Sequence, residues 1–329
     1  MEKEIRDRYN DEILREAMRR YGIAAGSIEL LGTVESFIYA YKKDGEEYIL
    51  RLGHSKRRTP DLIRGEVDWI NYLAAGGAGV AQAVTSQSGE LVEEIPDAAG
   101  GRFLATAFVR AQGGPEWETG GWTDERIEGY GHLLGRIHAL SKNYTLANEA
   151  WRRPQWDDPS NVGLGPVEPQ IEKKLWEVVD YLRALPRGGE SYGMIHQDAH
   201  SNNFFIDENG RFTLFDFDDC CYGHFAYDLA MVLFYTVTNL ENVTEFAPHF
   251  WQTFMRGYNA ENDLDPAWQQ EIPHFMKLRE IDLYAVILRD YDSIGGDWWA
   301  EGFMNGRRER IVEGLPYAGI RMSDLGFGS

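Results

Sequence analysis

The sequence has 329 residues, of which 43% are hydrophobic and 26% are charged. These values predict a folded protein of two domains or one large bilobal unit, and they exclude a disordered chain, a collagen-like repeat or a coiled-coil rod. The formal net charge of −20 disfavours nucleic acid and anionic membranes as partners, because both are bound through basic surfaces. Without a long apolar run or a signal peptide, we expect a cytoplasmic protein. The only cysteines, Cys220 and Cys221, provide no disulfide framework.

The first 109 residues are predicted to form a small antiparallel sheet with one helix packed on it. An opening helix is predicted over residues 5–21, where apolar side chains recur at near-helical spacing and Gly22 follows. A second helix is predicted over 60–76, with Thr59 as its candidate N-cap and Pro60 at its first position. Strands are predicted over 28–31, 37–41, 48–52, 82–85, 90–95 and 103–109.

Helices dominate the remainder of the sequence. Turn residues at 111–115 indicate a hinge, so we place the domain boundary between residues 109 and 110. One β-hairpin is predicted from strands at 204–206 and 212–215, because Asn209-Gly210 between them is a strong hairpin signal. The predicted helices are 123–142, 168–185, 226–238, 244–258, 266–291 and 298–313.

The polar residues around this hairpin indicate a site with a metal ion and a base. Its two chain reversals bring the loop before one strand close to the loop after the other, so Asp198, Asn203 and Asp216 are predicted to converge. Asn203 and Asp216 offer the oxygen ligands that Mg²⁺ takes together with phosphate oxygens and water, which leaves Asp198 free to act as a base. Such a set suits phosphoryl transfer, which requires a positioned acceptor hydroxyl and neutralised phosphate charge.

The pattern resembles the aminoglycoside phosphotransferase and choline kinase family, which shares the protein-kinase-like fold. The match is H-x-D-x-x-x-x-N at His196, Asp198 and Asn203, followed by the aspartate of Leu-Phe-Asp-Phe at 214–217 and by Tyr-Asp-Leu-Ala at 227–230. Within the family, the sequence is similar to homoserine-kinase-like and stress-response-kinase-like members. The resemblance implies an α+β bilobal fold with a nucleotide-binding lobe at 1–109 and a mainly helical catalytic and acceptor-binding lobe at 110–329.

The resemblance also implies roles for individual residues. Asp198 is similar to the catalytic base that orients the acceptor hydroxyl. Arg51 stands where the family usually has a phosphate-contacting lysine, and an arginine keeps the charge but is planar and bulkier. The implied metal ligands are Asn203 and Asp216, and the implied nucleotide-contacting residues are Arg51, its helix partner Glu66, and Ser36.

Several interpretations stay open from the sequence. Asp228 is a helix N-cap, a brace for the loop before the hairpin or a direct site residue. Arg51 with Glu66 is either part of a nucleotide site or a surface ion pair. His196 is expected to brace its loop, and Asp218 or Asp219 is a candidate for a second metal ion.

The predicted activity is ATP- and Mg²⁺-dependent transfer of the γ-phosphate to a hydroxyl of a small molecule. An amine-containing acceptor, such as an amino alcohol or an aminoglycoside, is one candidate, because residues 109–329 carry 35 acidic and only 19 basic residues. The alternatives are a protein Ser/Thr kinase of the stress-response type and a catalytically inactive nucleotide-binding module. The complete set of Asp198, Asn203 and Asp216 disfavours the inactive module.

Overall fold

The computed structural model describes residues 2–159, 161–162, 167–289 and 297–325. The chain forms two compact units. The first comprises residues 1–113, 144–153 and 213–218, and the second comprises residues 114–143, 154–212 and 219–329. The predicted functional division between residues 109 and 110 stays a prediction.

The first unit is built on an antiparallel sheet. Its strand order is β1-β2-β3-β6-β4, with β5 also paired to β6. Strand β3 lies inside the sheet, and its residue Arg51 is opposite Ile38 of β2 on one side and Thr106 of β6 on the other. The strands are β1 (Ile28–Gly32), β2 (Phe37–Lys43), β3 (Glu46–His54), β4 (Ala83–Val84), β5 (Glu93–Pro96) and β6 (Arg102–Val109).

Three helices belong to this unit: α1 (Lys3–Arg8), α2 (Asp11–Tyr21) and α3 (Pro60–Ala75). The single helix predicted over 5–21 is wrong, because Asn10 has an extended backbone and its side chain accepts hydrogen bonds from two amides of the first turn of α2. Helix α2 buries Ile13, Ala17 and Tyr21 in the same core as the strands, so it covers the sheet in addition to α3. The predicted N-cap of α3 is confirmed, since Thr59 accepts a hydrogen bond from the Leu62 amide.

The second unit is mainly helical. The predicted helix over 266–291 begins as a 3-10 helix at Pro266–Glu271 and continues as an α-helix, while positions 290 and 291 lie outside the described residues. The helix predicted over 298–313 is divided at Gly306, which has a left-handed backbone. Among the helices that the structure describes, none is long and apolar enough to cross a membrane. The α-helices of the second unit are α4 (Asp124–Ser141), α5 (Pro169–Arg183), α6 (Phe225–Val237), α7 (Val243–Glu261), α8 (Ile272–Arg289), α9 (Trp298–Met304) and α10 (Arg307–Glu313).

Helices α4 and α7 pack with their backbones in close approach. A Cβ atom added at Gly131 would lie 2.0 Å from the carbonyl oxygen of Phe254, and one at Gly257 would lie 2.0 Å from that of Glu128. Both distances are far shorter than a van der Waals contact, so only glycine fits at either position. This tight crossing fixes α4, whose Tyr130 hydroxyl donates a hydrogen bond to the carbonyl of Ala199.

Four short strands flank the polar residues singled out in the sequence: β7 (Tyr192–Ile195), β8 (Phe204–Ile206), β9 (Phe212–Leu214) and β10 (Cys221–His224). The predicted hairpin of β8 and β9 is confirmed. The antiparallel pair of β7 and β10 is not anticipated by the sequence analysis. Because β7 ends at Ile195 and β8 begins at Phe204, regular strands hold both ends of the segment 196–203, which we call the 196–203 loop.

His224, at the end of β10, is buried among aromatic rings. The centroid of its ring lies 4.8 Å from that of Tyr192, 5.0 Å from that of Trp268 and 5.6 Å from that of Phe275. Within the described part of the chain, neither ring nitrogen has a hydrogen-bond partner. Burial disfavours the charged imidazolium and lowers the pKa of His224 to about 4.

Candidate active site

The 196–203 loop is anchored by Asp228, a fully buried residue of α6. Its Oδ2 accepts a hydrogen bond of 2.9 Å from the amide of His196, and its Oδ1 accepts one of 2.7 Å from the amide of Gln197. Gln197 has a φ of 72°, a left-handed conformation that is uncommon outside glycine and needs support from its surroundings. Since the N-cap of α6 is His224 and Asp228 lies inside the helix, its position fits the brace rather than the N-cap.

The loop brings Asp198 and Asn203 together. The Nδ2 of Asn203 donates to the backbone carbonyl of Asp198 at 2.8 Å and to the carboxylate Oδ2 at 3.2 Å. His200 Nε2 also lies 3.2 Å from that Oδ2. Because the NH₂ group of Asn203 faces a carboxylate, its Oδ1 is the atom left to bind a cation.

The other carboxylate oxygen of Asp198 is paired with an arginine of α8. Arg279 Nη2 donates to Asp198 Oδ1 at 2.8 Å. Burial opposes ionisation of Asp198, but the guanidinium of Arg279 outweighs burial and, with His200, lowers the pKa of the carboxyl group. Asp198 is therefore a carboxylate throughout the physiological pH range.

Arg279 is itself held by two further side chains. Its Nε donates to the hydroxyl of Tyr235 on α6 at 3.0 Å, and its Nη1 donates to Oδ2 of Asp282 on α8 at 3.1 Å. The Tyr235 ring packs against His200, with ring centroids 4.2 Å apart. The side chains that contact the two oxygens of Asp198 therefore also contact one another.

Arg51 and Glu66 form an ion pair inside the first unit. Nη1 and Nη2 of Arg51 donate to the two carboxylate oxygens of Glu66, each at 2.7 Å, and Nε donates to Thr106 Oγ1 at 3.3 Å. The side chain of Glu66 is 0% exposed and that of Arg51 is 10% exposed, which is incompatible with a surface ion pair. Burial lowers the pKa of Arg51, but the carboxylate of Glu66 outweighs burial and raises it.

Asp218 is surrounded by arginines of the same unit. Its Oδ2 lies 2.9 Å from Arg57 Nη2 and 3.2 Å from Arg58 Nε. Burial opposes its ionisation, but these two guanidinium groups outweigh burial and lower the pKa of Asp218. A carboxylate that already neutralises arginines is less available to a second metal ion than the sequence suggests.

Ser36 and Asp216 also lie in the first unit. Ser36 is buried and lines a small cavity together with Arg51, Arg57 and Asp218. Asp216 has an exposed side chain and a φ of 62°, a conformation that aspartate tolerates better than most residues. The carboxylate of Asp216 contributes to raising the pKa of Arg51. The structure thus places Ser36, Arg51, Glu66 and Asp216 in the first unit, and it brings Asp198 and Asn203 together in the second.

The arginine that pairs with Asp198 is not apparent from the sequence. Arg279 lies 81 residues downstream of Asp198, in a helix without a recognisable motif, so no local spacing identifies it. Its partners Tyr235 and Asp282 are equally inconspicuous in the sequence. Asp228 carries a signal, because it stands in the Tyr-Asp-Leu-Ala segment that follows the hairpin.

No group of three or more His, Cys, Asp or Glu side chains that could hold a metal ion occurs in the described ranges. Asn203 and Asp216 stay the predicted metal ligands, and Mg²⁺ takes several further oxygen ligands. Phosphate oxygens and water supply these for Mg²⁺ in nucleotide-dependent enzymes.

Comparison with known proteins identifies the family. The chain is 34% identical over 327 residues to the amicoumacin kinase of Bacillus subtilis (strain 168), covering 96% of each chain. It is 28% identical over 214 residues to a homoserine kinase of Rhodospirillum rubrum (strain ATCC 11170), covering 64% of this chain and 62% of that protein. A solved amicoumacin kinase in complex with AMP-PNP, Ca²⁺ and Ami superposes with a TM-score of 0.90 at 30% identity, covering 99% of this chain and 100% of that chain.

These similarities confirm the predicted α+β fold of the protein-kinase-like type and the predicted small-molecule phosphotransferase activity. Residues 28–271 match the phosphotransferase enzyme family, and the chain belongs to this family.

Proposed function

We propose that this protein transfers the γ-phosphate of ATP to a hydroxyl group of a small molecule, with Asp198 orienting that hydroxyl. The observation that carries the proposal is the 196–203 loop, in which a buried carboxylate of α6 braces the backbone that presents Asp198 and Asn203. The similarity to amicoumacin kinase over 96% of the chain supports the same reaction class.

Phosphoryl transfer requires the protein mainly to position the two reactants and to neutralise the charge of the phosphates. The acceptor oxygen forms a bond to the γ-phosphorus, the bond from that phosphorus to the bridging oxygen breaks, and ADP leaves. The hydroxyl proton passes to Asp198 as the new bond forms. A carboxylate with a lowered pKa is a weak base in the ground state, so its contribution is to orient the nucleophile, which suffices for a loose phosphoryl-transfer transition state.

Asn203 and Asp216 are the residues proposed to hold the divalent cation. The fit rests on the free Oδ1 of Asn203, whose NH₂ group is turned to Asp198, and on the exposed carboxylate of Asp216. When bound, Mg²⁺ neutralises phosphate charge. The amicoumacin kinase solved with AMP-PNP and Ca²⁺ supports a nucleotide and a divalent cation as the co-substrate and cofactor.

Arg51 is proposed to contact the phosphates of ATP, with Glu66 fixing its orientation. A guanidinium has five N–H donors. Within the described ranges three of them are used, by Glu66 and Thr106, so two remain for a phosphate oxygen. Ser36, which lines the same cavity as Arg51, is proposed to contact phosphate as well.

The first acceptor to test is amicoumacin, because the relative that matches this chain over nearly its full length acts on it. An acceptor that carries an amine also fits the charge near Asp198. Burial raises the pKa of Asp282, and the carboxylates of Asp219 and Asp198 raise it further, so these three acidic side chains lie within electrostatic reach of Asp282.

An ADP-release assay with Mg·ATP tests the proposal against amicoumacin, amino alcohols, aminoglycosides, macrolides, homoserine and neutral sugars. We expect turnover that requires an acceptor and Mg²⁺ and is lost in Asp198→Asn. Mass spectrometry should show an acceptor that is heavier by one phosphoryl group. A folded protein that binds Mg·ATP but phosphorylates a Ser/Thr peptide rather than any small molecule would favour the protein-kinase alternative.

A further inference from the structure

The contacts of Asp198 leave few directions from which an acceptor hydroxyl can approach it. A carboxylate offers about four lone-pair positions, two on each oxygen. On Oδ2, Asn203 Nδ2 and His200 Nε2 both lie at 3.2 Å. On Oδ1, Arg279 Nη2 lies at 2.8 Å. Among the contacts of the described residues, the remaining acceptor position is therefore on Oδ1, beside the guanidinium of Arg279.

The guanidinium of Arg279 is held firmly enough to fix the carboxylate. Its side chain is only 16% exposed, and it donates to Tyr235, to Asp282 and to Asp198 itself. These partners belong to α6, α8 and the 196–203 loop. Because the planar fork engages all three at once, it restricts rotation of the Asp198 carboxylate about its terminal torsion, which is otherwise broad.

We propose that Arg279 is a positioning residue of the phosphoryl-transfer reaction, which holds the Asp198 carboxylate so that the second lone pair of Oδ1 receives the acceptor hydroxyl. The inference rests on the proposed function, in which Asp198 orients that hydroxyl. Tyr235 supports the same role indirectly, since its hydroxyl accepts hydrogen bonds from Arg279 and its ring packs against the ring of His200.

A purely structural ion pair would behave differently. Loss of a structural pair lowers the stability of the fold, and the apparent kcat then falls only in proportion to the fraction of folded protein, which the stoichiometry of calorimetric ATP binding measures. Loss of a positioning residue lowers kcat while the affinity for ATP stays the same, because the nucleotide does not need the acceptor hydroxyl to be oriented.

The test compares Arg279→Met and Arg279→Lys with Arg256→Met, which removes an exposed arginine of α7 that pairs with Glu128 of α4. For an acceptor that the wild type phosphorylates, we expect kcat of Arg279→Met to fall by about 100-fold, the loss typical of a misplaced catalytic group. The ATP affinity measured by calorimetry should stay within about twofold of the wild type, which corresponds to a change of about 0.4 kcal/mol or less in binding free energy. Arg279→Lys should recover part of kcat, and Arg256→Met should match the wild type.

A second pair of variants tests the inference even if Arg279→Met does not fold. Tyr235→Phe removes only the hydroxyl that holds Arg279, and Tyr181→Phe removes a surface hydroxyl that donates to Glu271. We expect Tyr235→Phe to lower kcat by several-fold without a change in the ATP Michaelis constant, and Tyr181→Phe to change neither constant.

Two outcomes overturn the inference and are distinguishable from each other. If the wild type phosphorylates an acceptor and folded Arg279→Met and Tyr235→Phe retain wild-type kcat, Arg279 is a structural residue and the proposed function stands. If the wild type phosphorylates none of the panel, the proposed function fails and the inference fails with it.

Discussion

Substitutions in the buried pair of Arg51 and Glu66 can separate an effect on stability from an effect on nucleotide binding. In Arg51→Met, the carboxyl group of Glu66 would be left at 0% exposure with its two hydrogen bonds of 2.7 Å removed. Breaking a buried ion pair by removing one partner costs about 3–5 kcal/mol, because the remaining charge is neither solvated nor paired. We therefore expect the free energy of unfolding of Arg51→Met to fall by that amount.

Replacing both residues should have a much smaller effect on stability. In the double variant Arg51→Met/Glu66→Leu no charge is left buried, and apolar replacements of a buried pair are often neutral or better. The double variant still lacks the guanidinium that is proposed to contact phosphate. Because a hydrogen bond to a charged group contributes about 1.5–3 kcal/mol, the Michaelis constant for ATP should rise by about tenfold or more in both variants.

Urea unfolding and steady-state kinetics on the same preparations measure the two effects, with Arg102→Met as the control for loss of an exposed arginine. We expect Arg51→Lys to retain substantial activity, since it keeps the charge. An unfolding free energy of Arg51→Met within about 1 kcal/mol of the wild type would refute the ion-pair reasoning, given the expected range. A double variant with a normal Michaelis constant for ATP would show that Arg51 does not contact phosphate, and Lys42 and Lys43 would be the next candidates.

Asp198→Asn should abolish turnover and leave ATP affinity nearly unchanged, whereas Asp216→Asn should also weaken metal-dependent ATP binding in calorimetry; equal losses of affinity would contradict this division of roles. Asp228→Asn should lower kcat and, by turning an NH₂ group toward one of the two backbone amides that Asp228 binds, lower the unfolding free energy by about 1–3 kcal/mol; unchanged urea unfolding would argue against the brace. Because the pKa of His224 is about 4 in the folded chain and about 6.5 in the unfolded chain, stability should be lost as the pH falls from about 6.5 to 4, by up to about 3 kcal/mol. Urea unfolding across this range should show a loss that His224→Phe removes, and an equal loss in that variant would assign it to other groups.

Local sequence signals predict those parts of the structure whose causes are local. The hairpin is visible because Asn209-Gly210 favours a tight turn, and α3 is visible because Thr59 and Pro60 mark its first turn. The break between α1 and α2 also has a local cause, because the side chain of Asn10 caps α2. The prediction of one long opening helix misses this break, since the apolar spacing continues across it. Periodicity alone does not reveal such a cap.

Strands β7 and β10 escape prediction because each has only four residues and both contain glycine. Their pairing is a long-range property, and short strands carry little alternation of apolar and polar residues. The consequence for the site is direct, because β7 delivers the chain to His196. The position of the 196–203 loop is therefore set by a pairing that the sequence does not display.

The same distinction between local and long-range causes separates the two halves of the Asp198 environment. The contacts of Oδ2 come from within the loop, at Asn203 and His200, and a spacing motif can represent them. The contact of Oδ1 comes from Arg279 on a distant helix, and no spacing represents it. A motif of this kind records how the loop holds its own aspartate, whereas the helices that surround the loop determine how the aspartate meets an acceptor. Acceptor preference should therefore vary with the residues of α6 and α8 while the loop motif stays the same, and exchanges at Tyr235 and Asp282 should alter the Michaelis constant for the acceptor more than that for ATP.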